Sequence, residues 1–226
     1  MSNKHPHSAL EKEFELERLI LFSDAVFAIA ITLLIIDIKF PELPAKRAEA
    51  NTLELLKPTL FSFLAFALSF FFIGRSWSNH LRLFRLLRKY DQGLINRNLL
   101  FLFFIVTFPF AAAGIAGHVQ SGFIVPIYVY IINLAAVSIA HFNLCHYIIR
   151  KKPQLTVEGE TAEKKFVYFS SQYIAAAMGI MVIVIIAAGL IFPDNESYVG
   201  FSCILVAPLL GIAKRKAKKY QPVEHS

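Results

Sequence analysis

Six apolar runs divide this chain, at roughly 18–39, 53–77, 94–116, 123–148, 165–191 and 197–214. Each is near the length a helix needs to cross a bilayer, about 20 residues at 1.5 Å of rise per residue. Hydrocarbon offers no water to a loose N–H or C=O, so such runs must become helices or close into a barrel. None alternates apolar and polar residues with period two for long enough to make a barrel strand. The expected fold is therefore all-α, a single six-helix transmembrane domain over 1–226. Composition agrees, with 56% hydrophobic residues against about 45–50% in ordinary soluble domains. Pro41 and Pro44 close the first run, Pro58 fits the first turn of the second, and Pro193-Asp194-Asn195 turns the fifth into the sixth.

The basic residues set the orientation. Of 23 Lys and Arg, nineteen fall in the N-terminal tail, the 75–97 linker, the 150–165 loop and the C-terminal tail. The remaining four are Lys39, Lys46, Arg47 and Lys57. This alternation places both termini in the cytoplasm. The expected location is the cell membrane, as a multi-pass protein. The polar N-terminus lacks a short isolated apolar core, so the first run is expected to be retained rather than cleaved.

The same placement argues against a nucleic-acid partner, because the basic residues lie between apolar runs and form no face of their own. Cys145 and Cys203 both sit in apolar runs and read as packed thiols, too few for a disulfide framework or a zinc site. No nucleophile–base pair and no acidic pair on one helix face is present, so an enzyme is not expected. No cofactor and no bound metal are expected either. Lipid headgroups are expected to meet the basic amphipathic stretch at 80–94, which should turn near Gly93, and the Lys214–Lys219 tail.

The first run carries an unusual cost. Ser23 and Asp24 lie inside it, and an ionisable group at membrane depth costs about 2.5–3.5 kcal/mol on insertion scales. Such a group faces protein or a water path. In the same run Arg18, Phe22, Ala25, Ile29, Thr32 and Ile36 recur at alternating spacings of four and three, forming one helical stripe. The stripe suits a helix–helix packing seam. The other reading of the stripe is a symmetry axis, with Ile29 and Ile36 as apolar rings and Thr32 as a hydroxyl ring between them. Asp24 is out of phase with the stripe, so it and Ser23 are expected to contact neighbouring helices. Trp77 and His80, at the same membrane side, are candidate partners.

These residues resemble a known family. Arg18, Phe22-Ser23-Asp24-Ala25, Ala28-Ile29 and Thr32 are similar to the first helix of the transmembrane protein 175 family, the endosomal and lysosomal potassium channels and their bacterial relatives. Ser69–Phe84, with Trp77 and His80, resembles the end of that family's second helix, and Asn98–Phe110, with Pro109, its third. About half the chain carries the resemblance; beyond residue 115 only the hydropathy is compatible.

The resemblance implies a potassium-preferring cation channel: a homotetramer with the first helix around a central pore and potassium as the permeant ion. By position, the constriction falls on Ile29, with Thr32 one turn outward and Ile36 or its neighbour Leu33 nearest the outside. It also implies a polar cluster of Arg18, Phe22, Ser23, Asp24, Trp77 and His80 that fixes the pore helix, or that switches through His80. The partners implied are a second copy of the chain, membrane lipids and monovalent cations. The alternatives are a secondary transporter or a proton-permeable cation pathway. Pro109 and Pro208 interrupt apolar runs as transporters often do, but no internal repeat joins 18–116 to 123–214.

Overall fold

In the computed structural model, residues 6–36, 38, 52–118, 125–159, 161–191 and 206–221 are described. They form helices α1 (Pro6–Leu33), α2 (Thr52–Phe84), α3 (Gln92–Val106), α4 (Phe108–His118), α5 (Val125–His146), α6 (Ala162–Ile191) and α7 (Val206–Lys218). A π-helical turn at Tyr147–Lys151 and a 3-10 turn at Pro153–Leu155 follow α5. No strand occurs among the described residues, and the fold is all-helical, as the apolar runs require. Asp37, Lys39, Cys203 and the first part of the sixth run lie outside the described residues.

Four stretches are long and apolar enough to span: Thr59–Phe84, Gln92–Ile115, Val125–Lys151 and Ala162–Ile191. α1 is not among them, because Glu17, Arg18 and Asp24 dilute its apolar stretch. It begins at Pro6, three turns earlier than the apolar run. The third span is α3 and α4 joined at Thr107, since Pro109 cannot supply the N–H that would continue the ladder. The break is repaired from a neighbour. The Phe104 carbonyl accepts from Thr107 Oγ1 at 3.1 Å and from Asn133 Nδ2 of α5 at 3.3 Å, while Thr107 Oγ1 also lies 3.0 Å from Asn133 Oδ1.

α1 packs on α2 and α3, α3 and α4 on α5, and α5 on α6, with α7 against α6. The central core gathers Phe27, Ile73, Phe101, Ile105, Phe108 and Val137. A second core at one end of the bundle holds Leu83, Phe84, Leu87, Leu94, Leu144 and Ile148. Here the structure corrects the reading of 80–94. Phe84 and Leu87 are buried in protein, and the chain leaves its helix after Phe84, well before Gly93. The backbone at Leu87 pairs with Thr156 in an isolated antiparallel bridge. Tyr90 reaches back to donate to Glu15, a contact that holds its phenol above the usual tyrosine range.

Gly93 lies in the first turn of α3, not at a turn between helices. Asp91 caps that helix in extended conformation, accepting from Leu94 N at 2.8 Å. Glycine is needed for a different reason. The Tyr147 hydroxyl donates to Asp91 Oδ2 at 2.8 Å and its ring lies 3.9 Å beneath the Arg97 guanidinium. A Cβ at Gly93 would fall onto that hydroxyl and 2.6 Å from Cζ. Gly93→Ala should therefore lower the stability of the detergent-solubilised protein by about 1–3 kcal/mol, the usual cost of overpacking. An unchanged thermal midpoint would show that Tyr147 moves aside freely.

Candidate functional site

One face of α1 is buried and the opposite face is bare. Leu16, Ser23, Phe27, Ala30 and Leu34 point into the bundle. Arg18, Phe22, Ala25, Ile29, Thr32 and Ile36 are all exposed, with Ile29 at 56% and Ile36 at 67% of full exposure. Leu33, on the flank, is 41% exposed. The stripe identified from spacing is therefore not a seam within one subunit. Thr32 Oγ1 lies 3.0 Å from the Ala28 carbonyl and 2.9 Å from that of Ile29. Its proton is committed to its own helix, so what the hydroxyl presents outward is an oxygen lone pair.

The buried face is held by a directed chain of hydrogen bonds. His80 Nε2–H donates to Asn98 Oδ1 at 2.8 Å, and Asn98 Nδ2 donates to Ser23 Oγ at 2.9 Å. Ser23 Oγ then donates to the Leu19 carbonyl at 2.9 Å. The carbonyl acceptor on Asn98 fixes the proton on Nε2 of the imidazole. Three helices, α2, α3 and α1, are joined at residues that are 2%, 0% and 0% exposed for His80, Asn98 and Ser23. The imidazole is enclosed by rings, stacked on Phe84 at 4.0 Å and on Phe101 at 5.5 Å, with Phe27 at 5.6 Å.

A separate bond runs beside it. Trp77 Nε1 donates to Asp24 Oδ1 at 2.8 Å, one step along the same α1–α2 interface. The carboxylate thus takes a charge-assisted hydrogen bond from a donor that can offer nothing else. Asp24 faces α2, off the exposed stripe.

The structure brings Ser23, Asp24, Trp77 and His80 to one interface. It does not bring Arg18 or Phe22 there. Arg18 faces out with no partner among the described residues, and Phe22 is half exposed. Asn98 is the residue that spacing alone missed. Its signal was an amide at the head of an apolar run, one turn before Leu102, which in a membrane marks an interhelical bond. His146 bonds Tyr168 at 3.2 Å, and His141 is buried against Cys145 and Phe101, so the two histidines serve different contacts. No cluster of metal-ligating side chains occurs among the described residues.

Known proteins resemble this chain in sequence and in fold. A family profile described as the endosomal/lysosomal potassium channel TMEM175 matches residues 18–109. A protein named as a potassium channel from Chryseobacterium sp. (strain P1-3) is 33% identical over 150 residues, covering 66% of this chain and 73% of that protein. Another so named, from Streptomyces collinus, is 38% identical over 99 residues, 44% of this chain and 47% of its own length. Among solved structures, a lysosomal potassium-selective channel TMEM175 homologue from Chamaesiphon minutus is similar with a TM-score of 0.60 and 25% identity, over 91% of this chain and 96% of that one. The potassium channel MtTMEM175, solved as a variant with a nanobody fusion, shares the fold at a TM-score of 0.59 and 20% identity, over 89% and 93%. By these matches, this chain belongs to the TMEM175 family of multi-pass membrane proteins.

Proposed function

We propose that this protein is a potassium-selective channel in which several copies, four by the family resemblance, set their first helices around a shared axis. The observation that carries this reading is the bare face of α1. A lipid-facing helix has no use for Arg18 and Thr32 on its outer stripe. An environment of protein and water suits it better. A cyclic head-to-tail arrangement of identical subunits would supply that environment and close a central path.

On this reading Ile29 forms the narrow apolar ring, which passes ions only when wetted. Ile36, with Leu33 beside it, forms a second ring outward. Between them Thr32 presents oxygen lone pairs toward the axis, the right polarity for a cation that has shed part of its hydration. The domain would be the whole six-helix unit. The His80–Asn98–Ser23 chain and the Trp77–Asp24 bond then have a positioning role: they set the rotation of α1, and so decide which side chains meet the ion.

Single-channel recording of the purified protein in planar bilayers tests the function. Unitary currents larger in potassium than in sodium are expected; saturable flux without unitary events would favour a transporter instead. Ile29→Asn should raise conductance or relax the potassium preference by wetting the ring. A well-folded variant with unaltered currents would remove Ile29 from the path.

The positioning role has its own test. Asn98→Ala strands the His80 N–H in a dry core, with a cost of about 1–3 kcal/mol for each unsatisfied group. Its recovery as an oligomer on size exclusion should fall. Asp24→Ala should likewise impair assembly while the channels that do form keep their potassium preference. A fully assembled Asp24→Ala protein with altered selectivity would move Asp24 from the scaffold into the ion path.

A further inference from the structure

On the side that the Lys and Arg bias assigns to the cytoplasm, a cavity of about 810 Å³ opens where the end of α2, the end of α5 and the start of α6 meet. Among the described residues that line it, Arg88, Lys89, Arg150 and Lys164 stand against a single carboxylate, Glu158. Like charges that line one cavity repel one another, and an anion among them would offset that repulsion.

The walls are built rather than draped. Arg88 N and Lys89 N both donate to the Leu155 carbonyl, at 2.8 and 3.1 Å, and Val157 N donates to the Leu86 carbonyl at 2.9 Å. These bonds flank the Leu87–Thr156 bridge and fix the linker that bears two of the cations to the loop that forms the far wall. Arg150 is steadied with its guanidinium 4.8 Å above the Tyr168 ring, an arrangement that pre-orders the planar donor fork.

Lys164 is the most telling member. It is only 6% exposed, and its ammonium donates to the backbone carbonyls of Val157 and Gly159 rather than to a carboxylate. Carbonyls satisfy hydrogen bonds without cancelling charge, so a full positive charge stays buried beside the cavity. An ammonium has three donors, and the third has no acceptor among the described residues.

We propose that this cavity binds a phosphate-bearing anion, either an anionic lipid headgroup or a soluble phosphate ester. The charge count, with Lys164 buried among the lining cations, matches phosphate oxygens. Its volume lies in the range of small-molecule sites, roomier than a bare phosphate needs. Its position among helix ends at the membrane surface is where basic pockets meet headgroups.

The test uses the full-length protein in a neutral detergent, with its thermal midpoint followed during separate titrations. The probes are short-chain phosphatidylglycerol, short-chain phosphatidylcholine and inorganic pyrophosphate. A saturable rise with either anionic probe, and none with phosphatidylcholine, is expected. A rise with phosphatidylglycerol alone assigns the lipid source, with pyrophosphate alone the soluble one; a rise with both means the phosphate suffices. The variant R88Q/K89Q/R150Q should weaken half-saturation about a hundredfold, since each basic residue near an anionic surface contributes about a factor of five. Gln154→Glu, which adds a carboxylate to the same lining, should weaken it about fivefold and serves if the triple variant does not fold. R215Q/K218Q/K219Q, which removes as much charge from the tail of α7, should leave half-saturation by pyrophosphate unchanged and weaken that by phosphatidylglycerol far less than the cavity variant does. No saturable rise with either anion, an unaffected Gln154→Glu protein, or equal losses in the pocket and tail variants would overturn the proposal.

Discussion

A helix in hydrocarbon has little apolar reason to choose one neighbour over another, because lipid tails are as apolar as leucine. The directed bonds from His80 through Asn98 to Ser23 supply that reason here. They work at 0–2% exposure, where an unmatched donor has no water to fall back on. Rotating α1 by one residue would separate Ser23 from Asn98 and Asp24 from Trp77 together. The orientation of the bare stripe is therefore a consequence of bonds made on the opposite side of the same helix.

That division of labour explains why α1 carries polar residues within an apolar run. Its inner face is polar where it must be aimed and aromatic where it must fill space, with Phe27 fully buried between His80 and Phe101. Its outer face is left to whatever the assembled protein places there. The remaining helices form a conventional scaffold, with α5 at the centre between the third span and α6.

Much of this was legible in the chain itself. The apolar runs fixed the helical class because a bilayer leaves few alternatives. The stripe could be drawn from spacing, and Ser23 and Asp24 could be assigned inward because their phase differs from it. What spacing could not supply was partnership across distance. Asn98 is a single amide whose two partners lie on other helices, and nothing local names them. Arg18 and Phe22 neighbour the cluster in sequence yet face away from it. The position of the 85–91 turn was misread through Gly93, a familiar breaker, whereas Asp91 three residues before Leu94 carried the true helix-start signal. The basic cavity was equally hidden, since it depends on residue 87 meeting residue 156.

The proline at 109 divides the third span into two rods, and a divided span is ordinarily a place for flexing. Here Asn133 of α5 and Thr107 both bond the Phe104 carbonyl on the α3 side of that joint. Pulling the end of α3 away from α5 would strand those groups in a medium that cannot hydrate them. The first rod is thereby pinned at its end to α5, and serves as a brace against which neighbouring elements can be registered.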